Sequence, residues 1–277
     1  MHAPMTTTRP ATAAIKSFIR DRLPPGVMMR HIVAYDLKNG EPELLLLPLV
    51  CDKSAAMIDV GGHLGVYSYV GAKYSAHVHT FEPNPDSASW IRRVAPPNVT
   101  VHQCAVSDRE SRCTLYIPSL AGVRTDARAS LLPEVNPGAA LTPVEVDARP
   151  IDAMGFGRVA FLKIDVEGHE QAVLRGAAEL IARERPTVQI ESEERHVPNA
   201  VRDTAEFFAG FGYRGYFWKA GALRPIDTFD RRRDQNVDNL HDLAHWHDRI
   251  YINNFLFVHP ARAETMARLP LARAEAA

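Results

Sequence analysis

The chain has 277 residues, enough for one large α/β domain with insertions or two small domains, and 46% hydrophobic with 23% charged residues is an ordinary composition for a soluble globular protein. The formal net charge of −1 argues against nucleic acid or a membrane surface as a partner, and the most apolar run, residues 44–50, is too short to cross a bilayer. Three cysteines without Cys-x-x-Cys spacing argue against a disulfide framework and a zinc knuckle. Since the first residues also lack the pattern of a secretion signal, we expect a cytoplasmic location.

The first part of the chain, residues 1–54, is predicted to be an extension with helices. Residues 1–10 contain three threonines and two prolines and are expected to be a disordered lead-in. A short helix is predicted over residues 11–23, followed by a strand over residues 28–36 and a short apolar helix over residues 42–52.

From residue 55 onwards, short apolar runs alternate with helical patterns. This alternation at short spacing predicts a Rossmann-like α/β fold, with a parallel sheet and helices on both faces. The predicted strands are residues 56–60, 78–81 and 99–106, and the predicted helices are residues 64–73 and 86–94.

The alternation breaks after Asp108. A strand of a β-ribbon is predicted at residues 113–117, followed by a Pro/Gly/Ala-rich insertion at about 118–143, whose length is typical of a functional lid or a disordered segment. We expect one domain over residues 55–260, with a His-rich excursion at about 227–249, and a C-terminal tail at 261–277. The remaining predicted elements are strands at 144–151, 159–165, 186–191, 213–219 and 251–259, and helices at 169–183 and 200–211.

A glycine-rich loop is predicted where the first of these strands turns into a helix; it reads Asp59-Val60-Gly61-Gly62-His63-Leu64-Gly65. Glycine permits a positive φ and has no Cβ, so a ligand can lie against the backbone. Glu82 ends the next strand, where a carboxylate can accept hydrogen bonds from both hydroxyls of a ribose. Both elements fall at the carboxyl ends of parallel strands, so together they favour an adenosine-type ligand over a turn that only packs a helix on a strand.

The spacing of the loop distinguishes between adenosine ligands. A dinucleotide needs G-x-G-x-x-G so that its pyrophosphate can approach the backbone. This loop instead reads Asp-x-Gly-x-His-x-Gly, with His63 at the position that is usually small. S-adenosylmethionine has no phosphate, and its sulfonium and amino groups suit Asp59 and other carboxylates. An NAD-dependent oxidoreductase and a non-catalytic nucleotide-binding module are the alternatives.

Charged residues alternate along the strand predicted at residues 159–165 and just beyond it. Lys163, Asp165 and Glu167 lie two residues apart and share one face, and Gln189 and Glu191 repeat the pattern on the next strand. Burying such groups without partners is costly, so we expect them to be paired or to face a ligand cavity. The alternative is that the carboxylates lie at solvated strand ends and the lysine extends to solvent.

A general base is expected near the end of that strand. A glycine lets the chain turn into a helix that begins near His169, which places this histidine at the rim of the cleft, although a histidine at a helix start is often only a surface residue. Glu167 and His196 are the other candidates. A cation held by Asp165, Glu167 and Glu191 is an alternative, but these carboxylates have no fixed short ligand spacing, and we expect a reaction without metal.

A second histidine cluster lies in the His-rich excursion, where His241, His245 and His247 surround Trp246. Histidines at i and i+4 on a helix can bind a metal. A solvated loop is the favoured interpretation, and a lid that places the tryptophan over a flat acceptor is a third.

Four ordered segments resemble signatures of the FkbM-family methyltransferases, and residues 253–257 are similar to the last strand of that family. The resemblance covers most of the chain, from about residue 55 to about residue 258, and the third and fourth segments are its specific parts. The segments are Asp59-Val60-Gly61-Gly62-His63-Leu64-Gly65, Phe81-Glu82-Pro83-Asn84-Pro85, Ala105-Val106-Ser107-Asp108 and Lys163-Ile164-Asp165-Val166-Glu167-Gly168-His169-Glu170.

The resemblance implies a class I methyltransferase sheet of seven strands, the last one antiparallel, with S-adenosylmethionine as methyl donor. The family typically has Ala-Asn where this chain has Gly62-His63, which changes the local contacts with the cofactor. The residues that the resemblance places around the cofactor are Asp59, Gly61 and Gly65 on the methionine side, Asp165 near the amine or sulfonium, Glu82 at the ribose, and Ala105 to Asp108 beside the adenine. His63 of the same loop is also expected to contact the cofactor.

Family members methylate hydroxyl groups of sugars, polyketides and other small molecules. We therefore expect an S-adenosylmethionine-dependent methyltransferase of the EC 2.1.1 class, acting on a hydroxyl of a sugar or natural product. The expected partner is this small-molecule acceptor, with no nucleic acid and no membrane, and a homodimer is compatible with the sequence.

Overall fold

The structure is a computed structural model that describes residues 23–120, 123–241 and 251–272. The predicted lead-in and nearly all of the helix predicted at residues 11–23 lie outside the described residues. His245, Trp246 and His247 of the second histidine cluster do so as well. None of the described helices is long and apolar enough to cross a membrane.

The strands and helices are numbered in chain order within the described residues. The strands are β1 (Ala56–Val60), β2 (His77–Phe81), β3 (Val99–His102), β4 (Ala105–Val106), β5 (Ser111–Leu120), β6 (Val123–Arg124), β7 (Ala140–Arg149), β8 (Val159–Ile164), β9 (Thr187–Glu191), β10 (Arg214–Lys219), β11 (Ala222–Pro225) and β12 (Asn254–Val258). The helices are α1 (Pro25–Asn39), α2 (Leu47–Val50), α3 (Val66–Gly71), α4 (Pro85–Val94), α5 (Glu170–Arg175), α6 (Ala178–Glu184), α7 (Ala200–Gly210), α8 (Arg231–Asp234) and α9 (Ala263–Arg268).

Eight strands form the main sheet in the order β11-β10-β12-β9-β8-β1-β2-β3. The five strands from β9 to β3 are parallel, β12 is antiparallel to β9, and β10 and β11 form a hairpin beyond it. The predicted Rossmann-like sheet with an antiparallel last strand is confirmed. It has one strand more than the predicted seven because β11 folds back on β10 across a turn in which Ala220 and Gly221 both have a positive φ.

Both faces of the main sheet are covered by hydrophobic clusters. Ile58 and Leu162 pack on the face that carries α5, α6 and α7. Met57 and Phe161 pack on the opposite face, which carries α2 and α3. All residues of β8 and β9 are buried, as is typical of central parallel strands covered on both faces. Polar side chains on these two strands therefore need partners within the protein.

A second sheet, in the order β4-β7-β5-β6, is built from the segment after β3. The strand predicted at residues 99–106 is thus divided, since β3 pairs with β2 in the main sheet and β4 pairs with β7 in the second. The predicted insertion contains the end of β5, β6 and the start of β7. We call residues 125–136, which connect β6 to β7, the strap.

Two further predictions of secondary structure were wrong. The strand predicted at residues 28–36 is helix α1, which starts at Pro25 and ends before Gly40; a proline at the first position and a glycine just past the end are helix signals that the apolar run obscured. The single helix predicted at residues 169–183 is divided into α5 and α6. The break falls at Gly176, where a Cβ atom would lie 2.0 Å from the carbonyl oxygen of Ser107.

Candidate functional site

A cavity of about 440 Å³ lies at the carboxyl ends of β1, β2, β8 and β9, bordered by the strap and by the segment between α1 and α2. Its volume falls in the range of small-molecule sites, and its place agrees with the general rule for open α/β sheets. Several residues predicted as site residues line it, and several do not. Those that line it are Gly61, His63, Glu82, Ala105, Asp165, Glu167, Glu191 and His169.

The glycine loop follows β1 and forms one wall of the cavity. Gly61 has a φ of +83°, and its carbonyl oxygen accepts a hydrogen bond of 3.0 Å from Nζ of Lys163. A Cβ at this position would lie 1.7 Å from the backbone oxygen of Asp165. Gly65 also has a positive φ, but its Cβ would meet Ile91 of α4 rather than the cavity. At position 61 the neighbouring backbone of Asp165 therefore requires glycine, whether or not a ligand is bound.

Glu82 follows β2, and its carboxylate is held in place by the backbone. The amide of His63 donates to Oε2 at 2.7 Å, and the amide of Asn84 donates to Oε1 at 2.9 Å. Burial raises the pKa of Glu82 to about 7, although both hydrogen bonds lower it. Each oxygen keeps a further lone pair for a ligand hydroxyl.

Lys163 on β8 connects the two neighbouring carboxylates. Its Nζ lies 3.2 Å from Oδ2 of Asp165 and 3.7 Å from Oδ1 of Asp59. Burial lowers the pKa of this lysine, but the charges of Asp165 and then Asp59 outweigh burial and raise it. The lysine is buried and does not extend to solvent. Asp59 is fully buried beneath the loop, where Ser68 donates to it at 2.5 Å, and does not line the cavity.

The segment that contains β4 contributes apolar lining. Ala105 lines the cavity together with Cys104 and Val106. Asp108 does not line it and instead contacts Arg175, with 3.2 Å between the charged groups. The hydroxyl of Ser107 lies 3.0 Å from Nε2 of His169, so this histidine lies against the segment that was predicted to flank an adenine.

A cluster of Glu167, Glu191 and His196 lies at the carboxyl ends of β8 and β9; Glu191 is buried and the other two residues are half-buried. Oε2 of Glu167 is 3.6 Å from Nε2 of His196. Burial and neighbouring carboxylates raise the pKa of Glu167 to about 8 and that of Glu191 well above its usual value. Burial lowers the pKa of His196 to about 4, so the imidazole is neutral at pH 7. His196 does not line the cavity and lies behind Glu167.

The strap covers this side of the cavity and is tied to it by polar contacts. The hydroxyl of Ser130 donates to the backbone oxygen of Glu167 at 2.6 Å. Asp126 accepts from Asn84 at 3.2 Å and from Arg124 at 2.5 Å, which joins the strap to the start of α4. The insertion is therefore a cover for the site. The sequence predicted a lid as one alternative but did not identify the residues that hold it.

The segment between α1 and α2 closes the opposite side. Glu41 lines the cavity and accepts a hydrogen bond of 2.8 Å from the hydroxyl of Tyr67, which in turn accepts one of 2.8 Å from Gln189. Sequence reasoning missed Glu41 and Tyr67, because no local pattern connects a residue of the N-terminal extension or of α3 to a strand as distant as β9.

Comparisons with known proteins give a family match and a curated relative. The sequence model of the family described as Methyltransferase FkbM domain matches residues 59–215. Methyltransferase 1 of Beauveria bassiana is 30% identical over 142 residues, which are 43% of this chain and 57% of that protein. The chain thus spans less than two thirds of the curated relative that it matches.

The solved structures to which the chain is similar include two proteins described as methyltransferases. The methyltransferase FkbM from Methylobacillus flagellatus is 18% identical with a TM-score of 0.47, covering 74% of this chain and 44% of that one. A protein of Streptococcus mutans, described as a methyltransferase and solved in complex with SAH, is 8% identical with a TM-score of 0.44, covering 78% and 95% of the two chains.

The family match extends from the glycine loop, through Glu82 and the strap, to the acidic cluster at the ends of β8 and β9. It covers more than half of the chain and confirms the resemblance found in the sequence. The chain belongs to the family of proteins with a methyltransferase FkbM domain.

Proposed function

We propose that this protein transfers a methyl group from S-adenosylmethionine to a hydroxyl of a small molecule such as a sugar or natural product. S-adenosylmethionine is the donor that membership of the family implies. The observation that carries the proposal is Glu82, a buried carboxylate that lines the cavity with both oxygens fixed by backbone amides.

The cavity residues fit the parts of this cofactor. Glu82 would accept hydrogen bonds from the ribose diol, as carboxylates at this position of open α/β sheets do for nucleotides. The apolar lining of Cys104, Ala105 and Val106 suits the adenine. Asp165, held by Lys163, would face the amine or the sulfonium of the methionine part.

The cluster of Glu167, Glu191 and His196 would provide the residues that face the acceptor. The hydroxyl oxygen forms a bond to the methyl carbon as the carbon–sulfur bond breaks with its electron pair going to sulfur, and the hydroxyl proton passes to a base. We propose Glu167 as that base, because it lines the cavity beyond Asp165 and has a raised pKa that suits proton transfer near neutral pH. His196, in contact with Glu167, would position its carboxylate.

His169 has a different role in this proposal. Its ring nitrogen is directed at Ser107, on the side of the cavity where we expect the adenine. The sequence favoured His169 as the base because this histidine was expected at the rim of the cleft and because histidine titrates near neutral pH. We assign it instead to the cofactor side, where it would stabilise the segment that contains Ser107.

Binding measurements on the purified protein test this function. We expect calorimetry to detect S-adenosylhomocysteine and to detect no binding of NAD at the same concentrations. Binding of NAD alone would favour the oxidoreductase alternative, and binding of both without methyl transfer would favour a nucleotide-binding module. Transfer of a labelled methyl group to a panel of sugars and polyketide alcohols would then identify the acceptor, with an RNA added to test the expectation that nucleic acid is not a substrate.

A further inference from the structure

Glu167, Glu191 and His196 come from three separate segments and bring three possible metal ligands together. Glu167 follows β8, Glu191 ends β9, and His196 lies in the loop between β9 and α7. One carboxylate oxygen from each glutamate and an imidazole nitrogen all lie within 4.8 Å of one another.

The atoms that converge are buried and polar. Oε2 of Glu167, Oε2 of Glu191 and Nε2 of His196 have no hydrogen-bond partner within the described part of the chain. The side chain of His196 is only 3% exposed and Glu191 only 6%, so bulk water has little access to them. Leaving one buried polar atom without a partner costs about 1–3 kcal/mol. Three such atoms that face one another point to a shared ligand.

The surroundings favour a positively charged ligand. Asn253 donates to Oε1 of Glu191 at 2.6 Å and so orients the other oxygen of this carboxylate. Arg195, a nearby cation, forms its hydrogen bonds with Glu193. The carboxylates of Glu167 and Glu191 repel each other when both are ionised, and a cation between them removes that repulsion.

We propose that Glu167, Glu191 and His196 bind a divalent cation of the Mn²⁺ type. Carboxylate oxygens suit Mg²⁺ and Mn²⁺, whereas imidazole suits Zn²⁺ and the later transition metals, so the mixed set fits Mn²⁺ best. Glu167 and Glu191 also line the cavity, so a cation held by them faces the acceptor. A hydroxyl that coordinates a divalent cation loses its proton more readily. This link between the cation and the acceptor rests on the proposed function. With the cation bound, the reaction would be metal-assisted, in contrast to the metal-free reaction expected from the sequence.

Mn²⁺ titration of the full chain tests the site. The protein is treated with EDTA, the chelator is removed, and free Mn²⁺ is measured by electron paramagnetic resonance alongside calorimetry. We expect one Mn²⁺ per chain, and we expect Glu191→Gln and His196→Gln each to weaken binding at least about tenfold. Glu206→Gln and His31→Gln change exposed residues outside the cluster and serve as matched controls with unchanged affinity. Circular dichroism and a melting temperature close to that of the parent show that each variant is folded, independently of cofactor binding.

The outcomes separate the cation site from the proposed function. A protein that binds S-adenosylhomocysteine but not Mn²⁺ would overturn the cation site and leave Glu167 as a base without metal. Mn²⁺ affinity that is equal in parent and cluster variants would also overturn the site. Mn²⁺ binding that both variants weaken, in a protein that does not bind S-adenosylhomocysteine, would support the cation site and contradict the proposed function.

Discussion

The hydroxyl of Ser130 donates a hydrogen bond of 2.6 Å to the backbone carbonyl of Glu167. Glu167 has a φ of +53°, a conformation that non-glycine residues rarely adopt. The strap thus holds the backbone of the residue that we propose as the base, and this partly buried hydrogen bond is one of the contacts that connect the strap to the site.

We expect Ser130→Ala to loosen this connection. Loss of a hydrogen bond of this kind costs about 1 kcal/mol, which corresponds to roughly fivefold faster hydrogen exchange by local opening of the strap. Hydrogen–deuterium exchange of residues 125–136 measures the effect. Ser89→Ala, an exposed serine on α4, is the control, and equal exchange in the two variants would contradict a role of Ser130 in holding the strap.

Glu82→Gln should weaken binding of S-adenosylhomocysteine by roughly 1–3 kcal/mol, since charge-assisted hydrogen bonds to the ribose would become neutral. Glutamine keeps the size of the side chain and one acceptor for the amides of His63 and Asn84. Calorimetry on the variant gives the dissociation constant, and its melting temperature reports on folding. An unchanged dissociation constant in the folded variant would remove the main support for the cofactor site.

Gly61→Ala should strongly destabilise the protein, because the added Cβ would lie 1.7 Å from the backbone oxygen of Asp165. Gly221→Ala is the matched control, since Gly221 has a similar φ of +78° with open space around it, and we expect it to cost about 1 kcal/mol. Urea unfolding of both variants measures the free energies, and similar values would mean that the backbone contact is unimportant.

The metal-free protein should become less stable as the pH rises from 7 to 8.5. The pKa of Glu167 is about 8 in the fold, chiefly because of burial, against an ordinary value of 4.5. A pKa raised on folding gives stabilisation that is complete below about pH 4.5 and lost as the pH passes through about 8. The loss from Glu167 between pH 7 and 8.5 is about 1 kcal/mol, or roughly 2–4 °C in Tm.

Melting curves at these two pH values measure the effect. The histidines with lowered pKa values, such as His79 and His196, are largely neutral in both states over this range and contribute little. Glu167→Gln should reduce the difference between the two pH values, whereas Glu206→Gln should preserve it. A Tm that rises with pH in the EDTA-treated parent would contradict the raised pKa.

His169→Ala and Glu167→Gln should have different kinetic effects once an acceptor is known. Glu167→Gln removes the proposed base and should lower kcat by about 10²-fold or more. His169→Ala removes the contact with Ser107 and should raise KM for S-adenosylmethionine, with a much smaller effect on kcat. Steady-state kinetics with both substrates varied separates these effects. The opposite pattern would restore His169 as the base.

Much of the fold could be predicted because its signals are local. The alternation of short apolar runs and helical patterns from residue 55 onwards indicated the parallel sheet. Apart from helix α1, whose local signals were obscured by an apolar run, errors arose where tertiary contacts outweigh local pattern. Residues 222–225 became an additional strand because they pair with β10, and the strand predicted at residues 99–106 was divided between two sheets.

The sequence by itself determined the family, the glycine loop, Glu82 and the charged alternation that ends at Glu167, because each depends on residue type and short spacing. Only the tertiary structure decided that Asp59 lies beneath the loop, that Asp108 lies outside the cavity, and that His169 contacts Ser107. It also brought Glu41 and the strap to the cavity and His196 to Glu167. These contacts join residues far apart in the chain, and the packing of the sheet edge, rather than any local pattern, sets which side chains meet there.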